Sequence, residues 1–366
     1  MSCDYVALAN PGVQTLQPYL AGKPVSELER ELGISQIVKL ASNENPLGLS
    51  QQVKLAIDKE ISQGSRYPDS NGHYLKSVLS ERHNVAAGQI TLGNGSNDVL
   101  EIIARTFLLP DHEVIFSQYA FCVYPLVSQA IGARLIEVPA KNWGNDLNAI
   151  FQAITDKTKM IFIANPNNPT GTWLTDKELK SFLVKVPSHI IVVVDEAYSE
   201  YVIDGSIPNS VEWLSDFENL IVTRTFSKAY GLASLRIGYS ISSEIICGLL
   251  NRVRQPFNVN SFALAAAIAV LDDEQYLQQS ISVNQQGMQQ LIESCKQLDL
   301  SFIASVGNFL SIDMGVNAQP IYQKLLHKGV IVRPLANYKM PNHLRVSIGL
   351  SLENKKYISA ITEILN

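Results

Sequence analysis

Ile190-Ile-Val-Val-Val-Asp-Glu-Ala-Tyr198 decides the fold class. Its β-branched run has no polar face. Such a run suits a strand covered on both sides, as in a parallel or mixed sheet flanked by helices. Short runs of the same kind recur at Ile90–Leu92, Glu113–Phe116, Met160–Ala164, Leu220–Thr223 and Ile237–Ile241. Helix-like stretches separate them. Asp98–Leu109 puts Val99, Ile102, Ile103, Ala104 and Phe107 on one helical face. Thr175-Asp-Lys-Glu178 has the spacing of a capping box. This alternation predicts an α/β unit. Past about residue 262 the pattern changes to long helices, Phe262–Leu271 and Tyr276–Leu298. Short strands follow at Phe302–Ala304, Phe309–Asp313, Val330–Val332 and Leu344–Ile348, with a helix over Pro320–Lys328 and another at the end, as in a smaller α+β domain. Ahead of the α/β unit, Pro11, Pro18 and Pro24 are expected to keep the chain extended, before a helix over Val25–Leu32 that Gly33 stops.

Composition narrows the function. Across 366 residues, 29 Lys+Arg stand against 34 Asp+Glu, a net charge of −5. An apolar fraction of 46% argues for a packed protein. Mild acidity gives no general attraction to nucleic acid or anionic membranes. The longest apolar run, Ala263–Leu271, is far shorter than the roughly 20 residues of a membrane-spanning helix. The first ten residues carry Asp4 and no basic residue, unlike a secretory leader. Cysteines 3, 122, 247 and 295 form no CxxC pair, which suggests reduced thiols and a cytoplasmic location. The histidines show no HxxxH or HExxH spacing, so no metal site is expected.

Four segments carry chemistry. Asp195 closes a buried strand, where a carboxylate needs a charged partner: either a nearby Arg or Lys, or a cationic ligand nitrogen. Asn165-Pro-Asn-Asn-Pro-Thr-Gly171 follows the strand Met160–Ala164. It is either a surface turn or part of a ligand site, since open α/β sheets bind ligands past the carboxyl ends of their strands. Thr223-Arg-Thr-Phe-Ser-Lys228 ends another strand. Lys228 is either an exposed loop lysine or, in a closed pocket, an amine able to condense with a carbonyl. Thr225, Ser227 and Arg236 suit a phosphate. Gly93-Asn-Gly-Ser-Asn-Asp98 lacks the third glycine of GxGxxG and the GK[ST] of a P-loop, leaving a glycine turn that opens a helix N-terminus at Asp98.

These segments, in this order, resemble the fold type I pyridoxal-phosphate aminotransferases. Further stretches are similar to the histidinol-phosphate aminotransferase family: Lys39-Leu-Ala-Ser-Asn-Glu-Asn-Pro-Leu-Gly48, Arg66-Tyr-Pro-Asp69, Thr225-Phe-Ser-Lys-Ala-Tyr-Gly-Leu-Ala-Ser-Leu-Arg-Ile-Gly-Tyr239, Arg254-Gln-Pro-Phe-Asn-Val-Asn260 and Leu344-Arg-Val-Ser-Ile-Gly349. The resemblance implies a mostly parallel seven-stranded sheet in a large domain over 46–262, a small α+β domain over 263–366, and an arm over 1–45 that packs with the small domain and a partner subunit.

The resemblance also implies roles. Lys228 holds pyridoxal 5'-phosphate covalently and shuttles a proton. Asp195 pairs with the pyridine nitrogen. Asn168 and Tyr198 bond the ring hydroxylate. Thr225, Ser227, Arg236 and the backbone at Ser96–Asn97 cradle the phosphate. Phe121 stacks on the ring, although the missing proline in Ser117-Gln-Tyr-Ala-Phe121 leaves Tyr119 as the alternative. Ser234 replaces a glycine common in the family. Tyr67 reaches the partner subunit's cofactor phosphate, which implies a homodimer. Arg345 clamps an α-carboxylate, Arg333 meets the substrate's anionic end, and Tyr19 lies near the substrate. The implied reaction is transamination of L-histidinol phosphate with 2-oxoglutarate, giving imidazole acetol phosphate and L-glutamate. An aromatic-amino-acid aminotransferase and a phosphothreonine decarboxylase-like enzyme are the alternatives. A regulator built on the same fold would need an added basic DNA-binding domain, which the 40-odd residues before the core do not supply.

Overall fold

The computed structural model describes residues 3–18 and 22–366. Its strands, in chain order, are β1 (Val38–Lys39), β2 (Ile90–Gly93), β3 (Glu113–Ser117), β4 (Arg134–Val138), β5 (Thr158–Ala164), β6 (Ile191–Asp195), β7 (Leu220–Thr225), β8 (Gly238–Ser242), β9 (Phe302–Ile303), β10 (Phe309–Asp313), β11 (Val330–Ile331), β12 (Arg333–Pro334) and β13 (His343–Ser347). The large sheet has seven strands in the order β2-β8-β7-β6-β5-β3-β4. Only β8 runs antiparallel to its neighbours. The remaining strands therefore deliver their C-terminal ends to one edge. β6 is buried along its whole length, as its continuous apolar run requires, and one apolar cluster packs on each face of the sheet.

The run read as a single strand over Val330–Val332 is divided. β11 pairs in parallel with β1, while β12 pairs antiparallel with β13, so the chain changes sheets between Ile331 and Arg333. That step turns Arg333 toward Arg345, its direct cross-strand partner. The sheet β12-β13-β10-β9 is antiparallel throughout and covers a separate apolar cluster.

Two other expectations need correction. Pro11 does not extend the chain; it opens a helical turn over Pro11–Gln14 behind the cap of Asn10. Proline is well placed there, because the first residue of a helix has no hydrogen bond to lose. The helix expected to start at Asp98 starts at Ser96, with Gly95 as its cap at φ 85°. Asp98 is a first-turn acid, and its Oδ2 accepts from the backbone N–H of Asn94 at 2.7 Å. The helices Val25–Leu32, Ser261–Leu271 and Glu274–Gln297 lie within two residues of the sequence reading, and Thr175 with Glu178 forms the expected capping box. β4 has no buried apolar run: it is an edge strand that mixes exposed and half-buried positions.

Candidate active site

Five chain segments leave the common edge of the large sheet and surround one cavity of about 260 Å³. β2 ends in the Gly93–Gly95 turn and the helix Ser96–Phe107; β3 leads to Phe121 and Tyr124; β5 leads to Asn168; β6 ends on Asp195; β7 leads to Lys228. The small sheet closes the other side with Arg333 and Arg345, and the arm adds Gly22 and Ala41–Glu44.

Asp195 is buried, and so is its neighbour Glu196. The two adjacent acids are compensated differently. Glu196 pairs with Arg224, which donates to its Oε2 from both Nε (3.0 Å) and a terminal nitrogen (2.6 Å). Asp195 has no such ion pair. Its Oδ2 accepts from the hydroxyl of Tyr124 at 2.8 Å, and its Oδ1 is buried without a hydrogen-bond partner among the described residues. Burial pushes the Asp195 carboxyl above the ordinary carboxylate range, opposed by the Tyr124 hydrogen bond. A buried carboxylate oxygen with no partner is costly, and a cationic ring nitrogen is the chemistry that offsets it.

Lys228 Nζ donates to the Ser42 carbonyl at 3.2 Å and lies 5.8 Å from the centre of the Tyr198 ring. Burial, reinforced by the Arg345 guanidinium, lowers its pKa to about 8. Much more of the amine is therefore neutral near physiological pH than for an ordinary lysine, which favours a nucleophilic role.

A phosphate fits at the turn 93–97. The first amides of the helix Ser96–Phe107 have no acceptor within the helix, and the helix dipole favours an anion there. Thr225 Oγ1 accepts from Ser227 N at 3.1 Å, and Arg236 donates to Ser227 Oγ at 3.4 Å. The close packing leaves no room for side chains: a Cβ on Gly95 would sit 2.2 Å from an Arg236 nitrogen, and one on Gly238 would sit 2.4 Å from Ser96 N. The buried Asp195 oxygen, the basic phosphate cradle and a lysine of lowered pKa together fit pyridoxal phosphate.

Arg345 is buried; one terminal nitrogen donates to Asn168 Oδ1 and the other to the Ala41 carbonyl at 2.8 Å, while its Nε has no hydrogen-bond partner among the described residues. Because Oδ1 faces the arginine, Asn168 offers its Nδ2 group as a donor. The guanidinium lies 5.3 Å from the Phe309 ring. Tyr198 OH accepts from Asn43 Nδ2 at 3.0 Å. Among the described residues that line the cavity, Lys228, Arg236, Arg333 and Arg345 outnumber the acids Asp195 and Glu44, an excess of positive charge.

Most of the residues singled out from sequence meet here: Ser96, Asn97, Phe121, Asn168, Asp195, Tyr198, Thr225, Ser227, Lys228, Arg236, Arg333 and Arg345 all line the cavity. Phe121 does so with its edge toward Tyr124, whereas Tyr119 packs against Trp143. Tyr67 lies elsewhere, 83% exposed and stacked on Phe257 with ring centres 4.6 Å apart. Tyr19 lies outside the described residues. Sequence reasoning assigned no role to Tyr124, Asn43 or Ser42. No local sequence signal marks Tyr124: its hydroxyl needs a partner because the residue is fully buried, and burial is a property of the packed chain. Among the described residues no group of three or more His, Cys, Asp or Glu is placed to hold a metal, and no helix is long and apolar enough to cross a membrane.

The chain is similar to known proteins along its whole length. Histidinol-phosphate aminotransferase 1 of Idiomarina loihiensis is 60% identical over 98% of this chain and 97% of its own length. Histidinol-phosphate aminotransferase 2 of Pseudomonas fluorescens is 56% identical over 100% of this chain and 99% of its own. The crystal structure of histidinol-phosphate aminotransferase from Sinorhizobium meliloti in complex with pyridoxal-5'-phosphate superimposes with a TM-score of 0.90 at 28% identity, covering 97% of this chain and 96% of the other. The fold is that of the fold type I aminotransferases. The family model for aminotransferases of class I and II matches residues 35–361, and with the cavity just described it settles the kinship: the chain belongs to the aminotransferase class I and II family.

Proposed function

We propose that this chain is a pyridoxal-phosphate-dependent histidinol-phosphate transaminase, EC 2.6.1.9. It moves the amino group of L-histidinol phosphate to 2-oxoglutarate, producing imidazole acetol phosphate and L-glutamate in histidine biosynthesis. The observation that carries this reading is the facing of Arg333 and Arg345 on neighbouring strands, both lining the cavity that holds Lys228. Like charges directly opposite on a sheet repel. A ligand with concentrated negative charge relieves that repulsion, and the two substrates present it as a phosphate and as carboxylates. A donor with one carboxylate, such as an aromatic amino acid, uses the pair less fully. The high identity to relatives of this name supports the same choice over a decarboxylase.

In this reading Thr225, Ser227, Arg236 and the amides of Ser96 and Asn97 bind the cofactor phosphate, and Phe121 covers the ring. Asp195, oriented by Tyr124, sits against the ring nitrogen. Asn168 and Tyr198 face the ring oxygen. Pyridoxal phosphate supplies a protonated ring that takes up the electron pair left when the donor's Cα–H bond breaks. Lys228 Nζ is the amine that would hold the cofactor's aldehyde, and in its neutral form it would accept the proton from the donor's Cα. Arg345 and Arg333 hold the substrate's anionic groups, with Tyr19 beside them.

The proposal extends to assembly. Tyr67 is exposed away from its own cavity, on a ring stack with Phe257, and is suited to reach the cofactor phosphate of a second copy. The enzyme is then a homodimer with composite sites. We divide each chain into an arm (1–45), a cofactor-binding domain (46–262) and a small domain (263–366). Four free cysteines suit the reducing cytoplasm.

Purified protein given 2-oxoglutarate should transaminate histidinol phosphate far faster than phenylalanine; a preference for phenylalanine overturns the substrate assignment. Lys228→Ala should leave no cofactor bound to the chain after borohydride reduction and denaturation. In the unsubstituted, cofactor-free protein, the modification of this amine by small aldehydes should rise with pH to half its maximum near pH 8, because only the neutral form reacts; a midpoint above pH 10 would contradict the buried setting. Arg333→Ala removes a charge-assisted contact and should raise KM for histidinol phosphate about tenfold or more, with a smaller rise for glutamate. Equal rises refute the division of labour. Mixing Tyr67→Phe chains with Lys228→Ala chains should produce hybrid dimers with one site free of both substitutions, recovering activity above either parent. No recovery argues against the cross-subunit role.

A further inference from the structure

The turn that opens the helix Ser96–Phe107 has a brace outside the cavity. Asp98 Oδ2 accepts from Asn94 N at 2.7 Å and from the side-chain amide of Asn258 at 2.8 Å. The same Asn258 nitrogen donates to the Leu92 carbonyl at 3.2 Å, so one side chain ties the end of β2 to the first turn of the helix. Its oxygen accepts from a terminal nitrogen of Arg254 at 2.8 Å, and Arg254 Nε donates to Asn251 Oδ1 at 3.1 Å. Asn258, Asp98 and Arg254 are not cavity-lining residues. The preceding residue, Phe257, holds φ 58°, a left-handed conformation unfavourable for a bulky side chain. The chain accepts that conformation where it brings Asn258 onto the turn. The segment 254–260 stood out in the sequence, and nothing in the reaction uses it.

The chemistry of the turn explains the need for a brace. Gly93 and Gly95 are dictated by close approach: a Cβ would lie 2.5 Å from Val99 at the first and 2.2 Å from Arg236 at the second. Two glycines in three residues leave the turn with many alternative conformations. Asp98 adds a negative charge within the first turn, next to amides that must attract an anion. Hydrogen bonds from Asn94 and Asn258 draw that carboxylate to the outer side of the turn, and Arg254 stands behind Asn258.

We infer that Asn258 and Asp98 are positioning residues for the cofactor phosphate, holding the 93–97 turn in its anion-binding form without touching the ligand. This inference rests on the proposed cofactor site. It assigns to the 254–260 segment the pre-organisation of that site, so that binding does not have to order a glycine-rich turn.

The test uses full-length protein freed of cofactor and compares it with Asn258→Ala, Asn258→Asp and the double exchange Asn258→Asp/Asp98→Asn. Three quantities are read: the pyridoxal phosphate dissociation constant by equilibrium dialysis, amide hydrogen exchange at Ser96 and Asn97 without cofactor, and the thermal midpoint without cofactor. Asn258→Ala should weaken binding about tenfold and speed exchange at these two amides, with little change in the thermal midpoint. Asn258→Asp places two carboxylates together and should weaken binding further. The double exchange restores a donor facing an acceptor and should recover much of the affinity. An unchanged dissociation constant in Asn258→Ala overturns the inference. So does a loss matched by a lower thermal midpoint and faster exchange along the whole helix, which marks a general structural role. Should Asn258→Ala fail to fold, Asp98→Ala is read in the same three ways. Unsubstituted protein that does not bind pyridoxal phosphate sinks the proposed function instead, and the exchange comparison still judges the brace.

Discussion

A carboxylate buried at the end of β6 is the constraint around which the rest is arranged. Asp195 accepts a hydrogen bond from Tyr124 on one oxygen, and its other oxygen is buried with no hydrogen-bond partner among the described residues. Its neighbour Glu196 shows how the protein deals with a buried acid that serves only the fold: it places Arg224 against it. Leaving Asp195 without such a pair is unfavourable for the isolated chain and becomes favourable only with a cationic group in the cavity. The surrounding architecture supports that charge. The seven-stranded sheet presents Asp195 at the same edge as Asn168, Lys228 and the turn 93–97, because all four follow strands running in one direction.

The cations opposite follow a complementary logic. Among the described residues, Lys228 and three arginines line the cavity with two acids. Burial, together with the charges of Arg345 and Arg236, lowers the Lys228 pKa, and the Arg345 Nε has no hydrogen-bond partner among the described residues. Part of the same field is used internally, since Arg345 also donates to Asn168 and to the Ala41 carbonyl, joining the small sheet, the large sheet and the arm. Charge that prepares the cavity for anions thus also joins the elements that enclose it. The brace through Asn258 and Asp98 extends this to the turn, where glycine is sterically required and must be constrained from behind.

Much of this was legible in the chain. The continuous apolar runs marked strands covered on both faces. The acid, the asparagine turn and the lysine each stood at a strand end, where a parallel sheet places ligand-binding groups. Less was legible where the pattern is short or local signals compete. β4 escaped notice because an edge strand mixes exposed and half-buried positions. The helix starts at Ser96 and not at Asp98 because Asp98, which resembles a cap by residue type, lies inside the first turn and accepts from Asn94 N. The division of 330–334 between two sheets has no local signature, since it is decided by which strands lie alongside.

The sequence by itself determined which polar residue types stand at the strand ends and the class of fold that presents them, because residue type and hydrophobic period are local properties. Tertiary structure alone decided which groups face one another. It set Tyr124 against Asp195, Arg333 against Arg345, and Asn258 behind Asp98, each through contacts between segments whose alignment follows from sheet register and packing. The same packing removed water from Lys228 and lowered its pKa, a property that no stretch of sequence carries until the cavity has closed around it.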